Sequence, residues 1–158
     1  MNKVQNQAIV DQLNQLLAIE LTSIDQYLAH SRIYEDQGLD KLYERISHEA
    51  DDEREHADLL IRRILFLGGQ PNLTQRIPHT IATDVPTMLK NDLAVEQGNA
   101  KALRQAIRFC EQEGDFVTRD MLISILKDTE EDHAYWLRQQ LELIEKLGLE
   151  LYLQAQIR

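Results

Sequence analysis

The chain has 158 residues, enough for one domain of ordinary size with a substantial core and too few for a second. At 43% hydrophobic and 28% charged residues it has the composition of a folded soluble protein, and no apolar run approaches the roughly 20 residues that span a bilayer. A net charge of −10 argues against nucleic acid and anionic lipid as partners, and the single cysteine, Cys110, excludes both an intrachain disulfide framework and a thiolate metal site.

The opening stretch "MNKVQNQAIVDQLNQ" has no apolar segment after its lysine, so it does not read as a secretory signal, and the cytoplasm is the expected compartment. Glycines then punctuate long stretches of Leu, Ile, Glu, Gln, Lys and Arg. The pattern predicts helices over about residues 5–37, 39–67, 85–113 and 115–146, with a short fifth over about 149–156. Four helices of around 30 residues, each roughly 45 Å long, point to an all-α four-helix bundle. Gly38 and Gly114 sit at tight connections, so the first and second helices form one antiparallel hairpin and the third and fourth another. Between the hairpins, "GGQPNLTQRIPHTIATDVPT" carries all three prolines, and its linking stretch of about 17 residues is long enough to run along the side of the bundle. Residues 1–158 are therefore expected to make a single domain.

The apolar stripe of each helix is interrupted by ionisable residues. On the first helix Leu13, Leu16 or Leu17, Ile24, Tyr27 and Leu28 recur at helical spacing, and Glu20 falls among them. The second runs Leu39, Leu42, Ile46, Glu49, Glu53, His56, Leu60, Ile64, Leu67, and the third Leu89, Leu93, Glu96, Ala100, Leu103, Ile107, Cys110. The fourth reads Phe116, Ile123, Leu126, Glu130, His133, Leu137, Ile144. One such glutamate is unremarkable, since it can snorkel or pair with an arginine. Four together are different: four carboxylates and two imidazoles buried without compensation would cost many kcal/mol against a net stability of about 5–15 kcal/mol.

Cations resolve the conflict. Two divalent ions cancel four carboxylates and leave both histidines neutral. Residues three apart on a helix lie about 60° apart, so Glu53 with His56, and Glu130 with His133, can each face one ion, with Glu20 and Glu96 completing or bridging the pair. The halves repeat: Glu20 precedes Glu53 by 33 residues and Glu96 precedes Glu130 by 34. Oxygen and nitrogen donors without thiolates suit iron or manganese.

At these residues the chain resembles the bacterioferritins over essentially its whole length. The resemblance rests on "NQLLAIELTSIDQY", "HEADDEREHADLLIRRILFLGG", "MLKNDLAVEQGNAK", "TRDMLISILKDTEEDHAYWL" and the tail "LGLELYLQAQIR". It implies a ferritin-like four-helix bundle with one long crossover and a short fifth helix. The implied activity is that of a ferroxidase, which oxidises Fe2+ with O2 or H2O2 and stores the product as ferric mineral inside a cage of 24 identical or related subunits. The implied iron ligands, which are also the catalytic residues of a di-iron centre, fall on Glu20, Glu53, His56, Glu96, Glu130 and His133. By the same resemblance His48 and Asp52 match an iron site on the inner cage surface, and a ferredoxin-like reductant is a fitting partner. Tyr27, seven residues from Glu20 on its face, is either a redox or hydrogen-bonding neighbour or plain core packing, while Glu49, Asp92, Asp128 and Trp136 are candidates to orient the ligands.

One position departs from the family. Its haem is held by a methionine that directly follows the glutamate of the second helix's E-x-x-H, and here that residue is Arg54, which has no soft donor. The chain's three methionines, Met1, Met88 and Met121, lie off the second helix. A cage of this chain alone is expected to bind haem weakly or not at all, with Arg54 in a surface or interface ion pair, and the chain is suited to a mixed cage with a haem-binding sister subunit. Two other readings stay open: a di-iron or di-manganese peroxidase or oxygenase on the same bundle, and a cage subunit without catalysis.

Overall fold

The computed structural model describes residues 2–158. Five helices follow in order: α1 (Lys3–Asp36), α2 (Asp40–Phe66), α3 (Val85–Gln112), α4 and the short α5 (Leu149–Gln156). Helix α4 runs as Phe116–Lys127, continues through a π-helical turn over Asp128–Ala134, and ends as Tyr135–Leu147.

Local chemistry sets the ends. Helix α1 begins in a capping box: Asn2 Oδ1 accepts the Gln5 N–H at 2.9 Å, and the Gln5 side chain accepts the Asn2 N–H at 3.1 Å. Asp84 accepts the Thr87 N–H at 3.0 Å to start α3, with Pro86 in the first turn, and Asp115 accepts the Thr118 N–H at 3.0 Å to start α4. The two hairpin turns share one geometry. Gly38 and Gly114 both stand at φ 77°, a left-handed conformation natural to glycine, and the next residue returns its N–H to a carbonyl of the last helical turn, at 2.9 Å from Leu39 to Tyr34 and 2.8 Å from Asp115 to Cys110.

The crossover runs beside α1 along most of its length. In succession, Asn14 binds Gln70 and Asn72, Thr22 accepts from the Ile77 N–H, Asp25 accepts from Arg76, His30 accepts from the Ala82 N–H and Gln37 donates to Thr83. From Asn14 to Gln37 is a rise of about 35 Å at helical pitch. Gly69 lets this strap leave α2 closely, because a Cβ there would stand 2.5 Å from Val10 Cγ1.

The core is split in two. One apolar cluster gathers Ile9, Leu13, Leu17, Leu60, Ile64, Leu103, Leu122 and Ile125; the other gathers Tyr27, Tyr34, Leu42, Ile46, Met88, Leu89, Leu137 and Tyr152. Between them lies a buried polar layer that includes Glu20, Glu53, Glu96, Asn99, Thr129 and His133. Helix α5 closes the second cluster, with the Tyr152 hydroxyl donating to Gln140 at 2.7 Å.

The second-helix stripe is buried at every position, as expected. The fourth is not: Phe116 and Ile123 are exposed, and the inward residues are Thr118, Leu122, Ile125, Thr129 and His133. An α-helical count backwards from His133 misses by one because the π turn takes up an extra residue. Leu28 is also exposed, at 50%, rather than part of the first-helix stripe. No helix among the described residues is long and apolar enough to cross a membrane.

Candidate metal centre

Five of the six expected ligands meet between the two apolar clusters. Glu20 from α1, Glu53 and His56 from α2, Glu96 from α3 and His133 from the π turn are all 4% exposed or less. Glu20, Glu53 and His56 form one group whose donor atoms lie within 4.8 Å of one another; Glu53, Glu96 and His133 form a second. Glu53 belongs to both, so it is the residue placed to bridge, while Glu20 and Glu96 close the two ends. The imidazoles stack with centroids 6.1 Å apart.

Both rings turn Nδ1 inward. His56 Nδ1 stands 3.4 Å from Glu53 and 3.7 Å from Glu20, and His133 Nδ1 stands 2.8 Å from Glu53 and 3.3 Å from Glu96. The outward Nε2 atoms meet other carboxylates: Asp128 at 2.9 Å for His56, and Asp52 at 3.1 Å together with Glu49 for His133. Around the rim Asn99 donates to Glu20 at 2.9 Å, the Tyr27 hydroxyl donates to Glu96, and Arg45 donates to Glu49 at 2.5 Å and Asp132 at 2.8 Å while lying over the Trp136 ring.

Charge in this buried layer is unevenly shared. Burial, reinforced by the Glu20 and Glu96 charges, pushes the Glu53 carboxyl well above the usual range. Burial would raise Glu20 as well, but the neighbouring Glu53 and His56 side chains and the Asn99 hydrogen bond hold it below its ordinary value. Burial alone would lower His56, yet Glu20 and Glu53 outweigh it and push the ring up to about 11; His133 is raised against burial by Glu49, Glu53 and Glu96. At neutral pH the ion-free centre therefore holds its negative charge in check with protons on His56 and His133, beside a Glu53 carboxyl that gives up its proton less readily than an ordinary one.

Protons do not satisfy every donor atom. Both Glu53 oxygens, Glu20 Oε2, Glu96 Oε2 and His56 Nδ1 are buried with no well-aligned hydrogen bond among the described residues, His133 Nδ1 approaching Glu53 without the angle of one. Unpartnered polar atoms converging from three helices are costly unless a cation sits among them. The donor set of carboxylate oxygens and imidazole nitrogens, with no thiolate, fits iron.

Glu130 stands apart. It is partly exposed and paired with Arg104 on the outer side of α3 and α4, outside both groups. The cause is the π turn, in which residues three apart no longer share a face as they do in α2. His48 is largely exposed, 3.6 Å from Asp52, and Asp52 in turn reaches His133, so the two residues form a path from the surface inward. Of the residues expected to orient ligands, Glu49 and Asp128 contact the histidines, whereas Asp92 binds His30 and Gln26, both at 2.8 Å, and Trp136 supports Arg45. Arg54 is exposed beside Asp51, Glu55 and Asp58. Sequence reasoning missed Asn99, Arg45 and Arg104; only Asn99, three residues beyond Glu96 and on its face, left a usable signal.

A Ferritin-like domain model matches residues 10–147. The chain is 54% identical over 150 residues to a bacterial ferritin of Synechocystis, covering 95% of this chain and 96% of that protein. It is 54% identical over 149 residues to a bacterial ferritin of Pseudomonas aeruginosa (94% and 96% covered) and 39% identical over 140 residues to a bacterioferritin of Rhodobacter capsulatus (89% and 86% covered). With its bundle, its crossover and its carboxylate and histidine layer in place, the chain belongs to the ferritin family.

Proposed function

We propose that this chain is an iron-storing ferroxidase subunit. It oxidises ferrous iron at a two-ion centre in the middle of the bundle and passes the ferric product to a mineral inside an oligomeric cage. The observation that carries this reading is the shared Glu53 between two three-residue donor groups, buried with unpartnered oxygens. Glu20, Glu53 and His56 are assigned to one ferrous ion, and Glu53, Glu96 and His133 to the other, with Glu130 as a sixth ligand once it leaves Arg104.

The residues perform three tasks. They draw in two cations by offering three carboxylates in a buried layer, and the protons on His56 and His133 leave as the ions arrive. Through Glu53 they hold the ions as neighbours, so that each gives one electron while dioxygen takes the pair with two protons and becomes hydrogen peroxide. Their negative charge then favours the ferric product over the ferrous substrate. His48 and Asp52 are proposed as the inner-surface iron site on the way to the cavity.

The same reading includes a single ferritin-like domain over residues 1–158, a cytoplasmic setting and a 24-subunit cage, built of this chain alone or mixed with a haem-binding sister subunit. A ferredoxin-like reductant would release the stored iron. Haem is not expected in a cage of this chain alone, because Arg54, which has no soft donor, stands where the resemblance places the methionine that would hold it. Aerobic ferrous loading followed by sedimentation tests the storage claim: cages should carry many more irons than the two per chain of the centre. Uptake that stops at two per chain would instead favour a di-metal peroxidase or oxygenase.

A further inference from the structure

The two histidines are held in the same way by opposite hairpins. Asp128 of α4 reaches across to His56 Nε2 on α2, at 2.9 Å, and Asp52 of α2 reaches across to His133 Nε2 on α4, at 3.1 Å. In each case the other ring nitrogen, Nδ1, faces the Glu53 carboxylate.

The spacing along the chain differs by one residue. Asp52 lies four residues before the histidine of its own helix, whereas Asp128 lies five before His133. Counting from the turn glycines shows the same excess: His56 is 18 residues after Gly38, and His133 is 19 after Gly114. In an unbroken α-helix one added residue would turn Asp128 about 100° away from where Asp52 stands in the other half. The π turn over Asp128–Ala134 is where α4 absorbs the excess, and it brings Asp128 back to His56. The same loosened winding leaves Glu130 with Arg104.

We propose that Asp128 is the positioning residue of His56, and that the π turn is the device that places it. Asp128 accepts the Nε2–H, which fixes the ring proton on that nitrogen and aims the Nδ1 lone pair at the ion held with Glu20 and Glu53. A carboxylate behind a ligating imidazole also makes the ring a stronger donor, and its loss costs about 10- to 100-fold in metal affinity. Asp52 with Glu49 does the same for His133. The inference rests on the two-ion reading of the centre.

The test is an anaerobic titration of the assembled protein with Co2+, read by its visible absorption bands. Wild type should take up two Co2+ per chain in the centre. Asp128→Asn should weaken one of the two by about 10- to 100-fold and shift the band of that ion, leaving the other unchanged. Glu131→Gln, an equal loss of charge on the exposed side of the same turn, should change neither. The inference is overturned if Asp128→Asn binds both ions as wild type does, or if Glu131→Gln loses as much. A wild-type chain that takes up no Co2+ in the centre overturns the reading of the centre itself.

Discussion

Among single residues, Glu53 and Arg104 decide most. Glu53 is the one carboxylate in both donor groups, and burial with two neighbouring charges pushes its carboxyl well above the usual range. Arg104 holds Glu130 outside those groups in a half-exposed ion pair. Pairs of this kind are worth about 0.2–1 kcal/mol, so Arg104→Gln should raise the affinity for the ion beside His133 by up to about fivefold, read in an anaerobic titration. The histidines make a separate prediction for the ion-free protein. His56 titrates at about 11 in the fold against 6.5 in the unfolded chain, so between those values the fold binds a proton that the unfolded chain does not. Stability must then fall as pH rises through that window. With a chelator present, the melting temperature should drop from pH 6.5 to 9.5, and it should drop less in His56→Gln. By the same linkage, ion affinity should rise with pH, because each ion displaces protons.

Among the helices, α4 separates what the sequence discloses from what it hides. The α2 stripe from Leu39 to Leu67 was legible because it keeps α periodicity from end to end, and its three ionisable members land in the core. The Gly38 and Gly114 hairpins were legible because left-handed turns leave few choices of residue. Glu130 stands away from the other five for a reason the sequence hides: a π turn carries no residue signature of its own, so an E-x-x-H inside it looks the same as one in an α-helix. The one-residue excess of the second half was the available trace. Deleting Thr129 should return α4 to continuous α winding and bring Glu130 onto the face of His133. In that background Glu130→Gln should slow ferrous oxidation about as much as Glu53→Gln does, whereas in the native chain its effect should be several times smaller. Equal effects of Glu130→Gln in both backgrounds would show that the π turn does not govern Glu130.

For the molecule as a whole, the polar layer divides the core into two apolar clusters, and the crossover ties the hairpins together along α1. The bundle and crossover followed from helix lengths and proline placement, but the bonds of the strap to Asn14, Thr22 and His30 have no sequence pattern that foretells them. The surface around Arg54 bears on the assembly. A cage of this chain alone should show no haem Soret band after haem is supplied, and Arg54→Met should gain one.

The most direct measurement is an anaerobic ferrous titration of the ion-free cage, with air admitted at each ratio and the oxidation burst recorded. The burst should grow up to two Fe2+ per chain and then level off, and Glu53→Gln should abolish it. A burst with no break at two per chain, or one that survives Glu53→Gln undiminished, would contradict a two-ion centre bridged by Glu53.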